Sequence, residues 1–251
     1  MSASGAHTCG VTRSGAAYCW GSNEDGQLGD GTHAARSKPV AVSGGLMFAA
    51  VTAGVAHTCG LTTGGAAYCW GDNSDGQLGN GTRAASSTPV AVTGKMIFAT
   101  VSAGFYFTCG LTSAGAAYCW GRNDRGQLGI GTTGAWRSTP VAVAGGLSFV
   151  SVSAPGSGTH ACGLTARGAV WCWGDNIAGQ LGNGTRTSSA TPVPVAGGLA
   201  FVAVGTGVVH SCARTTSGAV YCWGNNDRGQ LGDGTRTASL TPVPVRTVTS
   251  R

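Results

Sequence analysis

Charge is scarce in this sequence, and long apolar runs are missing. Charged residues make up 10% of the 251 positions, too few for a self-repelling disordered chain. No apolar stretch approaches the roughly twenty residues that cross a bilayer as a helix, so no membrane span is expected. Fifteen Lys and Arg against nine Asp and Glu give a net charge of +6. The basic residues are scattered, without the clustering of a nucleic-acid surface, and no nucleic-acid partner is expected. Sustained helical spacing of apolar residues is also missing. No Ser/His/Asp set or carboxylate pair repeats, and a Gly-rich phosphate loop would need a following helix. The chain is therefore expected not to be an enzyme and to carry no cofactor. Its first residues, MSASGAHTCG, lack the basic and apolar segments of a signal peptide.

What the chain does have is repetition. Its ten cysteines fall into equivalent pairs: Cys9 with Cys19, Cys59 with Cys69, Cys109 with Cys119, Cys162 with Cys172, and Cys212 with Cys222. Successive pairs recur at intervals of 50, 50, 53 and 50 residues, a period that points to a propeller or a solenoid. An even set of paired cysteines argues for an oxidising compartment. The expected location is extracytoplasmic, with any signal peptide trimmed away.

Each repeat has four short strand signals, exemplified by FAAV (48–51), HTCGL (57–61), AAYCW (66–70) and PVAV (89–92), separated by Gly-rich or Ser/Thr-rich turns. Four strands per unit make a propeller blade. A hairpin turn centred on Gly64 sets Cys59 opposite Cys69, Gly60 opposite Tyr68, and Leu61 opposite Ala67. Directly opposed residues have Cα atoms about 4.5–5.5 Å apart, within reach of a disulfide. Alternation puts His57, Cys59, Leu61, Ala67 and Cys69 on one face and Thr58, Tyr68 and Trp70 on the other. Gly60 is expected to leave room for the Tyr68 ring.

The string YCWGDNSDGQLGNGT (68–82) recurs as YCWGSNEDGQLGDGT (18–32), YCWGRNDRGQLGIGT (118–132), WCWGDNIAGQLGNGT (171–185) and YCWGNNDRGQLGDGT (221–235). It closely resembles the repeat of the RCC1 (regulator of chromosome condensation) family, and the resemblance covers essentially all of residues 1–251 as a single domain. It implies an all-β propeller with four-stranded blades. Family members typically carry seven blades, whereas this chain has five repeats. A closed five-bladed ring is expected, its two chain ends sharing one blade, with an open arc lacking two blades as the alternative.

Several residues invite a site and are weighed against plain packing. His57, Cys59 and Cys69 would make a reasonable zinc set. However, Phe107 replaces the histidine in the third repeat and the cysteines are better placed for each other, so no metal is expected. The GDNSDG loop (71–76) lacks the alternating acids of a calcium site. Asn73 and Gln77 are expected to hold backbone in a tight turn. The NGT sequences at Asn80 and Asn183 match glycosylation sequons, but DGT and IGT stand there in other repeats. Trp20, Trp70, Trp120, Trp173 and Trp223 share one repeat position, as blade packing requires.

Differences between repeats leave more room for recognition than their shared positions do. They gather in GFYF (104–107), TTGAWRSTP (132–140) and APGSGTH (154–160). Tyr106, Trp136 and Arg137 are residue types enriched at protein interfaces, and Phe105 or Phe107 must be core by alternation. The expected function is a non-enzymatic, secreted or cell-surface module that binds a protein partner through rim loops. Nucleotide exchange on a small GTPase with chromatin binding, as the resemblance to the eukaryotic founder implies, is one alternative, and carbohydrate binding is another.

Overall fold

Each repeat folds into one antiparallel sheet of four consecutive strands. In the computed structural model, which describes residues 1–246, the second blade consists of Phe48–Ala53, His57–Thr62, Ala67–Gly71 and Ser86–Ala91. The first strands of neighbouring blades touch one another. They therefore line the axis, and the fourth strands lie outermost. Pro89 and its equivalents Pro39, Pro140, Pro192 and Pro242 sit in that outer strand, beside a shift in ladder register. An outer edge tolerates the missing N–H, and the proline blunts it against stray pairing. Among the described residues no helix is long and apolar enough to cross a membrane.

The central hairpin takes the register read from the sequence, with Cys59 facing Cys69, Gly60 facing Tyr68, and Leu61 facing Ala67. In all five blades the opposed cysteines are bridged, with Sγ–Sγ distances of 2.09–2.12 Å and Cα–Cα distances of 4.0–4.1 Å. The space above Gly60 is occupied differently from expectation. The Phe48 ring, not Tyr68, lies against it, and a Cβ there would collide with that ring. Registering the hairpin alone leaves out the inner strand, which delivers Phe48 to this position.

Packing between blades repeats as faithfully as the sequence does. The disulfide, Leu28 and Ala17 of blade 1 enclose Phe48 and Trp70 of blade 2. The same arrangement places Phe98 and Trp120, Phe149 and Trp173, and Phe201 and Trp223 against the preceding blades. The Phe48 and Trp70 ring centroids are 5.7 Å apart in a tilted contact. Gly79, at φ 68°, passes directly over Trp120, where a Cβ would stand 2.6 Å from Nε1. Only glycine combines that backbone with that approach.

Asparagine organises the long loop between the third and fourth strands. In blade 4, Asn176 Oδ1 accepts the Leu181 N–H at 2.9 Å, and Nδ2 donates to the carbonyls of Thr185 and Thr187 at 3.1 and 3.0 Å. Gln180 Oε1 accepts the Ala178 N–H. Asn73 and Gln77 do the same in blade 2. Asn176→Ala strands one buried N–H and weakens two carbonyls, so a loss of about 2–3 kcal/mol is expected in urea unfolding. Replacing exposed Arg186 by Ala should cost under about 0.5 kcal/mol in the same assay.

Among the described residues the arc is open, which corrects the expectation of a closed ring. Five blades are joined by four interblade cores. Trp70, Trp120, Trp173 and Trp223 are fully buried, whereas Trp20 and Thr8 of blade 1 are only half-buried. His210 and Cys212 of blade 5 are half-buried too. Nor do the described chain ends share a blade. Ser2–Ser4 is the inner strand of blade 1, and Ser239–Pro244 is the outer strand of blade 5. The expected latch also falls partly on residues 247–251, which lie outside the described residues.

Candidate functional site

Two sets of loops meet at one end of the blades. The link from first to second strand and the long loop after the third strand are tied together by Asp72 N to Ala56 O at 2.9 Å in blade 2 and Arg122 N to Tyr106 O at 2.8 Å in blade 3. Phe105, Tyr106, Trp136 and the acidic loops of blades 1 to 3 therefore share one rim.

Blade 3 departs most from its neighbours there. Phe107 turns inward and is fully buried, while Phe105 and Tyr106 remain half-buried, their ring centroids 4.5 Å apart. Tyr106 has φ 56°, a left-handed conformation that costs a bulky residue of order 1 kcal/mol or more. Burial raises the Tyr106 phenol above its ordinary range, and the carboxylates of Asp72 and Asp25 add to the shift. Burial likewise raises Asp75 and Asp25, each with Asp72 contributing. Arg122 pairs with Asp124 at 2.9 Å, both side chains being more than a third exposed. Glu24, Asp25, Asp72, Asp75 and Asp124 place five of the chain's nine acidic residues on this rim.

Trp136 is 43% exposed and lies beneath the Arg83 guanidinium, whose carbon is 4.5 Å from the ring centroid. Arg83 Nε also donates to Ser74 O at 2.5 Å, which holds the cation over the ring. Arg137 turns back to the Trp136 carbonyl at 3.1 Å and begins the outer strand Arg137–Ala142. Of the three residues singled out in the sequence, Tyr106 and Trp136 are on the rim surface, and Arg137 is half-buried at a strand start. Arg83, Arg122 and Asp75 join the patch without having been singled out. They occupy ordinary loop positions in their own repeats, and only the stacking of blades 2 and 3 brings them to Trp136 and Tyr106.

The zinc set proves engaged elsewhere. Cys59 and Cys69 are bonded to each other, and His57 Nε2 lies 2.9 Å from Thr108 Oγ1 of the next blade. The same link joins His7 to Thr58 and His160 to Ser211, at 2.8 Å each. Where Phe107 replaces the histidine, Ala161 replaces the hydroxyl, and both are fully buried. This paired exchange is visible in the sequence, but only once residues one repeat apart are known to touch.

Four-stranded sheets arranged around an axis, with Trp and a disulfide packed between them, define a β-propeller repeat protein. The RCC1-like domain family matches residues 1–251, and the chain belongs to that family. Human WBSCR16 superposes with a TM-score of 0.86 at 24% identity, over 97% of this chain and 65% of that one. Yeast RCC1 (Prp20), solved bound to Kap60, gives 0.85 at 19% identity, over 97% and 60%. The ectodomain of the Physcomitrella patens receptor kinase CR4 gives 0.56 at 22%, over 89% and 49%. The chain thus spans less than two thirds of the length of these structures. A comparison with curated protein sequences returns no match.

Proposed function

We propose that this protein is a non-enzymatic, extracytoplasmic interaction module that binds a protein partner through the rim of blades 1 to 3. The supporting observation is the gathering there of Phe105, Tyr106 and the Arg83-covered Trp136 among five carboxylates, in a chain whose net charge is +6. Rigid aromatics anchor protein interfaces at low entropic cost. The surrounding acids suit a partner face that is basic around an apolar centre. Location outside the cytoplasm is supported by the five bridged cysteine pairs. The similarity to a receptor-kinase ectodomain agrees with it.

The test is quantitative capture from an extracytoplasmic extract, comparing the wild-type protein with the double variant Tyr106→Gly, Trp136→Ala. Glycine accepts φ 56° without strain, and Trp136 is surface-exposed, so the melting temperature should hold within a few degrees. A bound protein depleted at least tenfold by the variant, and released by salt, is the expected result. Equal capture by the two proteins would place the interface elsewhere.

A further inference from the structure

Neighbouring blades are stapled at the axis by hydroxyl groups of the inner strands. Ser2 Oγ of blade 1 accepts the Ala53 N–H of blade 2 at 3.0 Å, and Thr52 Oγ1 accepts the Ala103 N–H of blade 3 at 3.2 Å. Ser102 Oγ accepts the Ala154 N–H of blade 4 at 3.0 Å and donates to the Ala154 carbonyl at 3.2 Å. Ser153 Oγ accepts the Thr206 N–H of blade 5 at 3.2 Å. Among the described residues, the extensive strand-to-strand contacts between blades all join neighbours. Such junctions act in series. A small rotation at each adds to the next, and three of them separate blade 1 from blade 4.

One loop departs from this serial arrangement. In blade 4 the link from first to second strand runs over residues 155–159, against 54–56 in blade 2, so it carries the two extra residues of the APGSGTH segment. It leaves Ala154, which Ser102 of blade 3 holds, and closes a turn in which the Gly158 N–H donates to Pro155 O at 3.2 Å. It returns to its own blade where Thr159 O accepts the Asp175 N–H at 2.9 Å. At the apex, a Cβ on Gly156 would collide with the Ser4 side chain of blade 1 and stand 3.2 Å from the Ala53 carbonyl oxygen of blade 2. A Cβ on Gly158 would stand 2.6 and 2.9 Å from the Val208 and Gly207 carbonyl oxygens of blade 5. This single loop therefore touches all four other blades, and Pro155 and Gly158 are buried by those contacts. The short link of blade 2 has no such reach: the nearest groups to its Gly54 are His57 of the same blade and the Gly104 carbonyl of the next.

We infer that residues 155–159 form an axial clasp that fixes blade 4 against blades 1 and 2 across the axis and thereby positions the rim of blades 1 to 3 for its partner. A tie between blades three junctions apart removes the rotation that serial junctions would otherwise accumulate. The anchors of the clasp lie just beneath the rim. Ser4 leads into the link whose Ala6 carbonyl accepts the Ser22 N–H of the loop bearing Asp25, and Ala53 leads into the link whose Ala56 carbonyl accepts the Asp72 N–H. Ser102 ends the run of inner strand that delivers Phe105 and Tyr106. A displacement of Ser4 or Ala53 relative to Ser102 is therefore passed to Asp25 and Asp72 relative to Tyr106. The effect on the rim rests on the proposed function, whereas the clasp itself does not.

Gly156 lies outside the left-handed region, so alanine keeps its backbone and acts through the collision with Ser4. Nitroxide labels on the oxidised protein at Lys38→Cys and Thr191→Cys, exposed positions on the outer strands of blades 1 and 4, report the spacing of those blades by pulsed electron spin resonance. The parent should give one narrow distance distribution, and Gly156→Ala one about twice as broad. Ser4→Gly combined with Gly156→Ala removes the colliding side chain and should restore the narrow distribution. Deleting Gly156 and Ser157 returns the link to the length that folds in blade 2, and should broaden the distribution whether or not Ser4 is changed. An unchanged distribution in the deletion variant overturns the inference, as does a broadening by Gly156→Ala that Ser4→Gly fails to reverse. Capture of the partner should weaken about fivefold in Gly156→Ala and recover in the double variant. Capture that holds while the distribution broadens overturns the positioning of the rim. A parent that captures nothing refutes the rim as the interface, and the distance measurement still decides the clasp.

Discussion

Full reduction of the five disulfides is expected to unfold the protein at room temperature. Each bridge closes a loop across a sequence separation of 10, which in the chain-entropy treatment stabilises by roughly 2–3 kcal/mol, less where the hairpin persists in the unfolded chain. Five such contributions total on the order of 10–15 kcal/mol, comparable to the whole net stability of about 5–15 kcal/mol of an ordinary domain. The bridges also form part of each interblade core, where Cys59 and Cys69 pack with Leu78, Phe98 and Trp120. Access should decide the order of loss. Cys212 is half-buried at the open face, whereas Cys9, Cys19, Cys59, Cys69, Cys162 and Cys172 have no exposed surface. Timed alkylation with peptide mapping under graded reductant should therefore show Cys212–Cys222 opening first, with little change in circular dichroism, followed by cooperative loss of the rest. A fully reduced protein that keeps its sheet signal and its Trp environment would show that packing alone suffices.

The repeat, the four strands and the cysteine register were legible in the sequence because each depends on residues within one blade. Cys59 and Cys69 are ten positions apart, and period-two alternation about one turn settles their pairing without reference to anything else. What escaped reading depends on the inner strand of the same blade or on contacts between blades. The space over Gly60 is filled from the inner strand by Phe48, His57 bonds the next blade's Thr108, and Trp136 stacks under Arg83 of the preceding repeat. Closure was the least legible of all, since it depends on how successive blades pack on one another, which no single repeat encodes. The substitution of Phe107 together with Ala161 was the one trace of these contacts in the sequence, two changes 54 positions apart that make sense only as a pair.

The same histidines should make the protein acid-labile well above the range in which carboxylates titrate. Thr58 Oγ1 donates its proton to Gln27 O, so it can only accept from His7. Each paired histidine therefore carries its proton on Nε2, and the lone pair of Nδ1 is buried without a partner in His7, His57 and His160. Protonation would bury a charge and an N–H with no acceptor. Burial accordingly lowers His7 to about 4 and His160 to about 3, and His57 to about 3 with the neighbouring His7 contributing. Since the unfolded chain takes up these protons near pH 6.5, stability is complete above that value and falls as pH drops toward 3–4. Each histidine costs roughly 1.4 kcal/mol per pH unit in that window, so three cost on the order of 6 kcal/mol by pH 5. Urea midpoints measured from pH 8 to pH 5 should fall steeply and continuously. Grafting the third repeat's solution onto the second, as His57→Phe with Thr108→Ala, should remove about a third of that slope while leaving stability at pH 8 within about 2 kcal/mol of the parent. A slope unchanged by the graft would mean that other groups, not the buried histidines, take up the protons.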